Sequence, residues 1–216
     1  MNSETIRNLD RLLKSWRADR PNYEFCCDCV LGNEAWETLD PKIAFILKES
    51  NDDFHPKAGE TYLPSGGNSH LFWRNLNMWK FITEKRGECS FEQTLAEKEK
   101  PATGFAYINL KKNAQSRRIS DSNDIMTYVE RDWSFLLREI DILKPDVLFC
   151  CGTFYFIEQK LKAIRFGERV SKLEDMLVVD FYHPSARRSY ISNYELLSRI
   201  LVTATTGRRT RGGGGP

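Results

Sequence analysis

The sequence predicts an α/β fold, a three-layer αβα sandwich around a central, mainly parallel sheet of four strands. Short apolar runs alternate along the chain with segments of helical periodicity, an order typical of a parallel sheet covered on both faces. Hydrophobic residues make up 41% of the chain and charged residues 29%, which favours a folded core over disorder. The 216 residues fit a single domain at about 150 residues per domain.

Four apolar runs are the predicted strands. The first follows Pro41 and the third is closed by Gly152, residues that commonly bound a strand. The strands cover residues 43–47, 105–109, 147–151 and 177–181.

Four segments have the periodicity of amphipathic helices. The longest ends at Lys144, just before a proline, and the last begins with the capping-box spacing of Ser192 and Glu195. The first three cover residues 6–16, 71–82 and 125–143.

Beyond the helices, we expect residues 1–205 to form the domain and residues 206–216 to be a flexible, basic, glycine-rich tail.

The charge balance excludes a polycationic nucleic-acid coat. The chain has 32 Lys and Arg residues and 30 Asp and Glu residues. The resulting net charge of +2 still permits a local basic strip. No apolar run approaches the roughly 20 residues that span a bilayer. We therefore expect a cytoplasmic monomer that contacts no membrane.

The cysteines predict thiols or a metal site rather than disulfides. Six are present, and Cys26 and Cys29 form a C-x-x-C pair. A closed zinc site needs a second ligand pair, and none stands at conventional spacing. We expect no metal and no cofactor, although the sequence leaves open whether Cys26 and Cys29 bind one.

Polar residues follow the predicted strands at the sheet edge where ligands of open α/β folds bind. Glu49 follows the first strand, Asn109 ends the second, and His183 follows the fourth. No glycine-rich fingerprint follows the first strand, which disfavours a Rossmann dinucleotide site. The sequence thus predicts a site built from a carboxylate, an amide and an imidazole.

These residues resemble the uracil-DNA glycosylase superfamily, nearest to the bacterial and archaeal branch whose first motif reads G-E-A-P-G. Tyr62 stands 13 residues after Glu49, the family's spacing between its glutamate and the aromatic residue that stacks on the flipped base. The stretch from Tyr107 to Asn109 matches the asparagine that ends the family's second strand, and His183-Pro184-Ser185 matches its H-P-S motif. The resemblance runs from about residue 41 to 200.

Two departures separate the chain from that branch. Its first motif reads Lys-Glu-Ser-Asn-Asp from Lys48, without glycine or proline. The third ligand of the branch's iron–sulfur cluster falls on Asn113. We therefore predict no cluster.

The resemblance implies a role for each residue. Glu49 orients a water and faces the cationic sugar, while His183 donates to the departing base. Tyr62 stacks on the flipped base, and Asn109 and Ser50 bind its edge. The predicted DNA contacts are Lys111, Lys112, Arg117, Arg118, Ser185, Arg187 and Arg188.

The predicted function is therefore a monofunctional DNA glycosylase that acts on duplex or single-stranded DNA. The base is uracil or another modified pyrimidine, including a hypermodified phage base in a defence role. Two alternatives stay open: a non-catalytic DNA-binding member of the fold, and a metal-dependent nuclease that uses Glu49, Asp52 and Asp53 as oxygen ligands. Ordinary structural roles, such as a solvated strand end or a turn before Pro184, stay open for the individual residues.

Overall fold

The computed structural model of the chain describes residues 4–51, 69–115 and 120–209. These ranges contain six α-helices and one seven-stranded sheet. The helices are α1 (Glu4–Asp19), α2 (Ser69–Glu84), α3 (Phe91–Glu97), α4 (Ser122–Leu143), α5 (Phe154–Leu161) and α6 (Tyr190–Arg209). The strands are β1 (Cys29–Leu31), β2 (Ile43–Asn51), β3 (Phe105–Gln115), β4 (Val147–Cys151), β5 (Ile164–Gly167), β6 (Val170–Leu173) and β7 (Met176–Phe181).

The sheet has four parallel strands at its centre and antiparallel strands at both edges. Its order is β1-β3-β2-β4-β7-β6-β5, and β3, β2, β4 and β7 pair in parallel. The pairs β1–β3, β6–β7 and β5–β6 are antiparallel. The predicted α/β sandwich with parallel central strands is confirmed, but the strand count of four is wrong.

Each face of the sheet carries its own apolar layer. Side chains alternate along a strand, so Ala44 and Ile46 of β2 pack with α1, α4 and α5, whereas Phe45 and Leu47 pack with α2 and α6. The core therefore consists of two layers, one on each side of the sheet.

The unpredicted elements are short. β1, β5 and β6 have only three or four residues each, and Ile164 of β5 is 75% exposed, so no buried apolar run marks that edge. Helices α3 and α5, with seven and eight residues, were also not predicted.

The predicted cap of the last helix is wrong. α6 begins at Tyr190, so Ser192 lies inside the helix. A capping box stands instead at α3, where Ser90 Oγ accepts from the Gln93 N–H at 3.2 Å and Gln93 Oε1 accepts from the Ser90 N–H at 2.9 Å. α6 continues to Arg209, past the predicted end of the domain at residue 205, and residues 210–216 lie outside the described ranges.

Two strands extend beyond their neighbour and form a rim. The last pairing of β2 with β4 is Ile46 with Cys150, whereas β2 and β3 stay paired to Asn51 and Gln115. Leu47 and Asn109 are level with Cys151, the last residue of β4, so residues 48–51 and 110–115 project past its end. No helix in the described ranges is both long and apolar enough to cross a membrane.

Candidate functional site

The carboxyl ends of the four parallel strands gather the polar residues that the sequence singled out. β2 carries Lys48, Glu49 and Ser50, β3 carries Asn109 and the residues after it, and His183 stands just beyond β7. The register pairs Glu49 with Lys111 across β2 and β3. This edge is the usual ligand crevice of an open parallel sheet.

His183 is a neutral hydrogen-bond donor at this edge. Its Nδ1 accepts from the Ser185 N–H at 3.2 Å, which places the hydrogen of the neutral ring on Nε2. Burial, assisted by the positive charge of Lys48, lowers the pKa of His183 to about 4. The ring is therefore uncharged at neutral pH.

The loop that carries His183 is fixed from two sides. Gly152 has a positive φ of 67°, a conformation that favours glycine, and it donates its N–H to the Phe181 carbonyl at 2.7 Å. On the other side, buried Asn75 of α2 donates from Nδ2 to the Pro184 carbonyl at 2.6 Å. The backbone on both sides of His183 is thus anchored, by Gly152 after β4 and by α2.

Glu49 is a buried, ion-paired carboxylate. Its Oε2 lies 3.1 Å from Lys111 Nζ, and Lys111 Nζ also lies 2.6 Å from Asp124 Oδ2 of α4. The side chains of Glu49 and Lys111 are 4% and 3% exposed. Burial alone would lower the pKa of Lys111, but hydrogen bonds and charge from Asp124 and Glu49 outweigh it and the pKa is raised. Among the described residues, Glu49 Oε2 has no well-directed hydrogen-bond donor.

Asn109 and Lys112 belong to a second, fully buried charge cluster. Asp28, just before β1, accepts from the Asn109 N–H at 2.6 Å and from Asn109 Nδ2 at 2.8 Å. Lys112 Nζ contacts Asp28 Oδ2, lies 2.8 Å from Glu139 Oε2 of α4, and donates to the Asn109 carbonyl at 2.8 Å. Lys112 also lies 4.7 Å from the Trp16 ring centroid.

The two lysines that were predicted to contact DNA lie inside the protein. Lys111 and Lys112 are 2% and 0% exposed, and both ammonium groups are paired inside the protein. Neither ammonium is exposed for the predicted contact with a phosphate, which stays a prediction for these two residues.

The arginines and serine after His183 do reach solvent. Ser185, Arg187 and Arg188 are exposed, and the Arg188 guanidinium carbon lies 3.9 Å from the Tyr182 ring centroid. The Arg169 guanidinium approaches the same ring at 4.6 Å. This stacking places one exposed guanidinium on the ring of Tyr182, the residue before His183.

Ser50 is buried and faces a thiol rather than an open surface. It hydrogen-bonds to Cys26, whose pKa burial raises. Tyr62, Arg117, Arg118, Asp52 and Asp53 lie outside the described residues, as does the side chain of Cys29.

The residue at the third iron–sulfur ligand position does not fit a cluster. Asn113 Oδ1 accepts from the Glu24 N–H at 2.8 Å, and its Nδ2 donates to Tyr128 Oη at 2.9 Å. Both ends of its amide are used. The described residues also contain no group of three or more His, Cys, Asp or Glu side chains suited to a metal ion.

Asp28, Asp124 and Glu139 are the site residues that sequence reasoning missed. Glu139 had a detectable signature, because it lies on the apolar stripe of α4 between Leu136 and Leu143. Asp28, within the cysteine cluster, had none.

Comparison with known proteins does not assign this site. No family model matches the chain, and no curated protein matches it. The available chemistry is that of three groups: a neutral imidazole donor, an ion-paired carboxylate, and an amide held by a second carboxylate.

Proposed function

We propose that this protein is a DNA glycosylase with a uracil-DNA glycosylase-like fold. It flips a damaged or modified base out of DNA and hydrolyses the N-glycosidic bond, leaving an abasic site. The observation that carries the proposal is the neutral His183, whose hydrogen is on Nε2 at the carboxyl edge of the parallel strands.

A neutral imidazole suits this reaction. Breaking the glycosidic bond leaves negative charge on the departing base, which a fixed N–H donor stabilises. Because His183 has a pKa of about 4, it donates a hydrogen bond without first having to be protonated. Asn75 and Gly152 hold its loop, so the donor needs little rearrangement before the reaction.

The same reaction builds positive charge on the sugar, and Glu49 supplies an anion of the required kind. Its ion pair with Lys111 fixes the carboxylate at the rim. The proposed substrate is uracil or another modified pyrimidine, with a hypermodified phage base as one member of that class. Stacking by Tyr62 stays a prediction.

The residues that follow His183 are the proposed contacts to DNA phosphates. Arg187 and Arg188 are exposed, and Arg188 is stacked on Tyr182. Replacing both by alanine should weaken DNA binding and reduce its dependence on salt.

The decisive experiment exposes the protein to duplex and single-stranded oligonucleotides that carry different bases, followed by alkali. Alkali-dependent breaks at one base would identify both the activity and the substrate. His183→Ala should slow single-turnover cleavage by about 10²–10³-fold while DNA affinity survives. Arg187→Ala with Arg188→Ala is the matched control, because it should lower affinity and leave the saturated rate nearly unchanged.

Two other results would redirect the assignment. Strand breaks without abasic sites, abolished by EDTA, would indicate the metal-dependent nuclease. The Lys111 ammonium disfavours that activity because it already occupies the cation position beside Glu49. Salt-dependent binding without cleavage of any base would indicate a non-catalytic DNA-binding protein.

A further inference from the structure

The buried carboxylate of Asp28 accepts hydrogen bonds from two residues of β3, Asn109 and Lys112. Its Oδ1 accepts from Asn109 Nδ2 at 2.8 Å, and its Oδ2 accepts from the Asn109 backbone N–H at 2.6 Å. Its Oδ2 also pairs with Lys112 Nζ. The side chains of Asp28 and Lys112 are 0% exposed, and Asn109 is 3% exposed.

These contacts determine which way the Asn109 amide faces. An ionised carboxylate only accepts hydrogen bonds, so the nitrogen of the amide must face Asp28 and its oxygen must face elsewhere. The flipped amide would bring two acceptor oxygens together in a buried place, which is strongly unfavourable. One N–H of the amide is used by Asp28, which leaves the oxygen and the second N–H with a defined direction.

Burial raises the pKa of Asp28, whereas the charge of Lys112 and the hydrogen bonds from Lys112 and Asn109 favour its ionised, accepting form. The cluster holds two acids, Asp28 and Glu139, and one lysine, so one acid is in excess. Three N–H groups donate to Asp28, two from Asn109 and one from Lys112, whereas among the described residues Lys112 is the one N–H donor to Glu139. Burial raises the pKa of Glu139 to about 8. The excess proton therefore belongs on Glu139.

A buried cluster of this kind contributes little stability compared with apolar side chains of the same volume. Orientation of the attached amide is the effect that apolar side chains would not reproduce. Lys112 strengthens the orientation, because its Nζ bridges Asp28 and the Asn109 carbonyl.

We propose that Asp28 is a positioning residue that, held by Lys112, fixes the Asn109 amide in a single hydrogen-bonding orientation toward the flipped base. This inference rests on the proposed glycosylase function. It assigns Lys112 a role in base selection through Asn109 and none in DNA contact.

The variant that tests this is Asp28→Asn. In this variant the amide oxygen of residue 28 should take the Oδ2 place, where the Asn109 backbone N–H and Lys112 donate. Its NH₂ group then faces the Asn109 side chain and favours the flipped orientation of the Asn109 amide. Selection between a base with an N–H at the middle of its pairing edge and one with an acceptor there should fall by about ten- to a hundred-fold in kcat/KM. The loss should come mainly from faster cleavage of the disfavoured base.

Glu139→Gln is the matched control. It alters the same buried cluster and keeps an oxygen for Lys112, but leaves both hydrogen bonds between Asp28 and Asn109 intact. Its selectivity should equal that of the parent. If the cluster were merely structural, each variant would lower the cleavage rates of the two bases by the same factor. That result would overturn the proposal.

NMR of the parent protein gives a readout that does not depend on catalytic activity. The Asn109 side-chain NH₂ signal, identified by its loss in Asn109→Ala, should show one proton protected from exchange and shifted by its hydrogen bond. Two equivalent, fast-exchanging protons would refute the positioning by Asp28. If no base is cleaved but one proton is protected, the glycosylase assignment fails while the Asp28–Asn109 geometry stands.

Discussion

The imidazole of His183 should stay neutral far below the pH at which histidine normally gains a proton. Burial is the larger cause and the charge of Lys48 the smaller, and together they lower its pKa from 6.5 to about 4. At pH 5.5 an ordinary histidine is about 90% protonated, whereas His183 should be about 3% protonated. The lowered pKa means that the folded protein favours the neutral ring over the protonated ring by about 3 kcal/mol more than water does.

The consequence for stability has a definite sign. Between pH 4 and 6.5 the unfolded chain binds a proton at this residue and the folded chain does not. The contribution of His183 to the free energy of unfolding therefore falls as the pH drops from 6.5 toward 4, and it is constant above 6.5. Cleavage should show no loss of activity from His183 between pH 5 and 7.

NMR titration of the ring measures this directly. The chain has three histidines, so His55→Asn with His70→Asn leaves His183 as the sole imidazole. The further variant Lys48→Met should raise the midpoint but keep it below 6.5, since burial remains. A midpoint near 6.5 in the variant that retains only His183, or no change of the midpoint in Lys48→Met, would refute the electrostatic argument.

Three further predictions concern the buried groups and the cap. Lys112→Met leaves two buried carboxyls without their cation and should lower the free energy of unfolding in urea by about 3–5 kcal/mol. The control Lys172→Met, at an exposed lysine, should change it by less than about 0.5 kcal/mol. Equal effects of the two variants would contradict the buried pairing. Glu139 holds a proton in the folded state between its ordinary pKa of 4.5 and about 8, so its contribution to stability falls as the pH rises through that range. Glu139→Gln should remove that decline in urea titrations at pH 5 and pH 8, and an unchanged slope would contradict it. Ser90→Ala should cost about 1 kcal/mol in thermal unfolding by removing the cap of α3, and a neutral effect would show that the cap is dispensable.

The sequence could predict the centre of the sheet because the parallel strands are buried on both faces and are therefore continuous apolar runs. β4 is buried at all five positions. The edge strands had no such run, since β5 exposes three of its four residues. Helix α4 was predictable for the corresponding reason, since its apolar stripe extends over six turns.

The candidate site was only half predictable. His183 and Glu49 follow strands, where local sequence indicates them. The pairing of Asp28 with Lys112 joins residues 84 positions apart, and nothing local marks it. The lysine doublet was predicted to contact DNA, yet Lys112 is two residues beyond Leu110 and so shares its inward-facing side.

The doublet also explains why this rim needs little rearrangement before it acts. Lys111 pairs with Asp124 in the first turn of α4, and Lys112 pairs with Glu139 near its last turn. Those acids are 15 residues apart, about 22 Å along a helix. Two adjacent residues of β3 are thus fixed at two distant points of α4, so the strand cannot slide or rotate without breaking a buried ion pair. Because Glu49 is held by Lys111 and Asn109 by Asp28, the proposed anion and the proposed base reader share one rigid support, as electrostatic preorganisation requires.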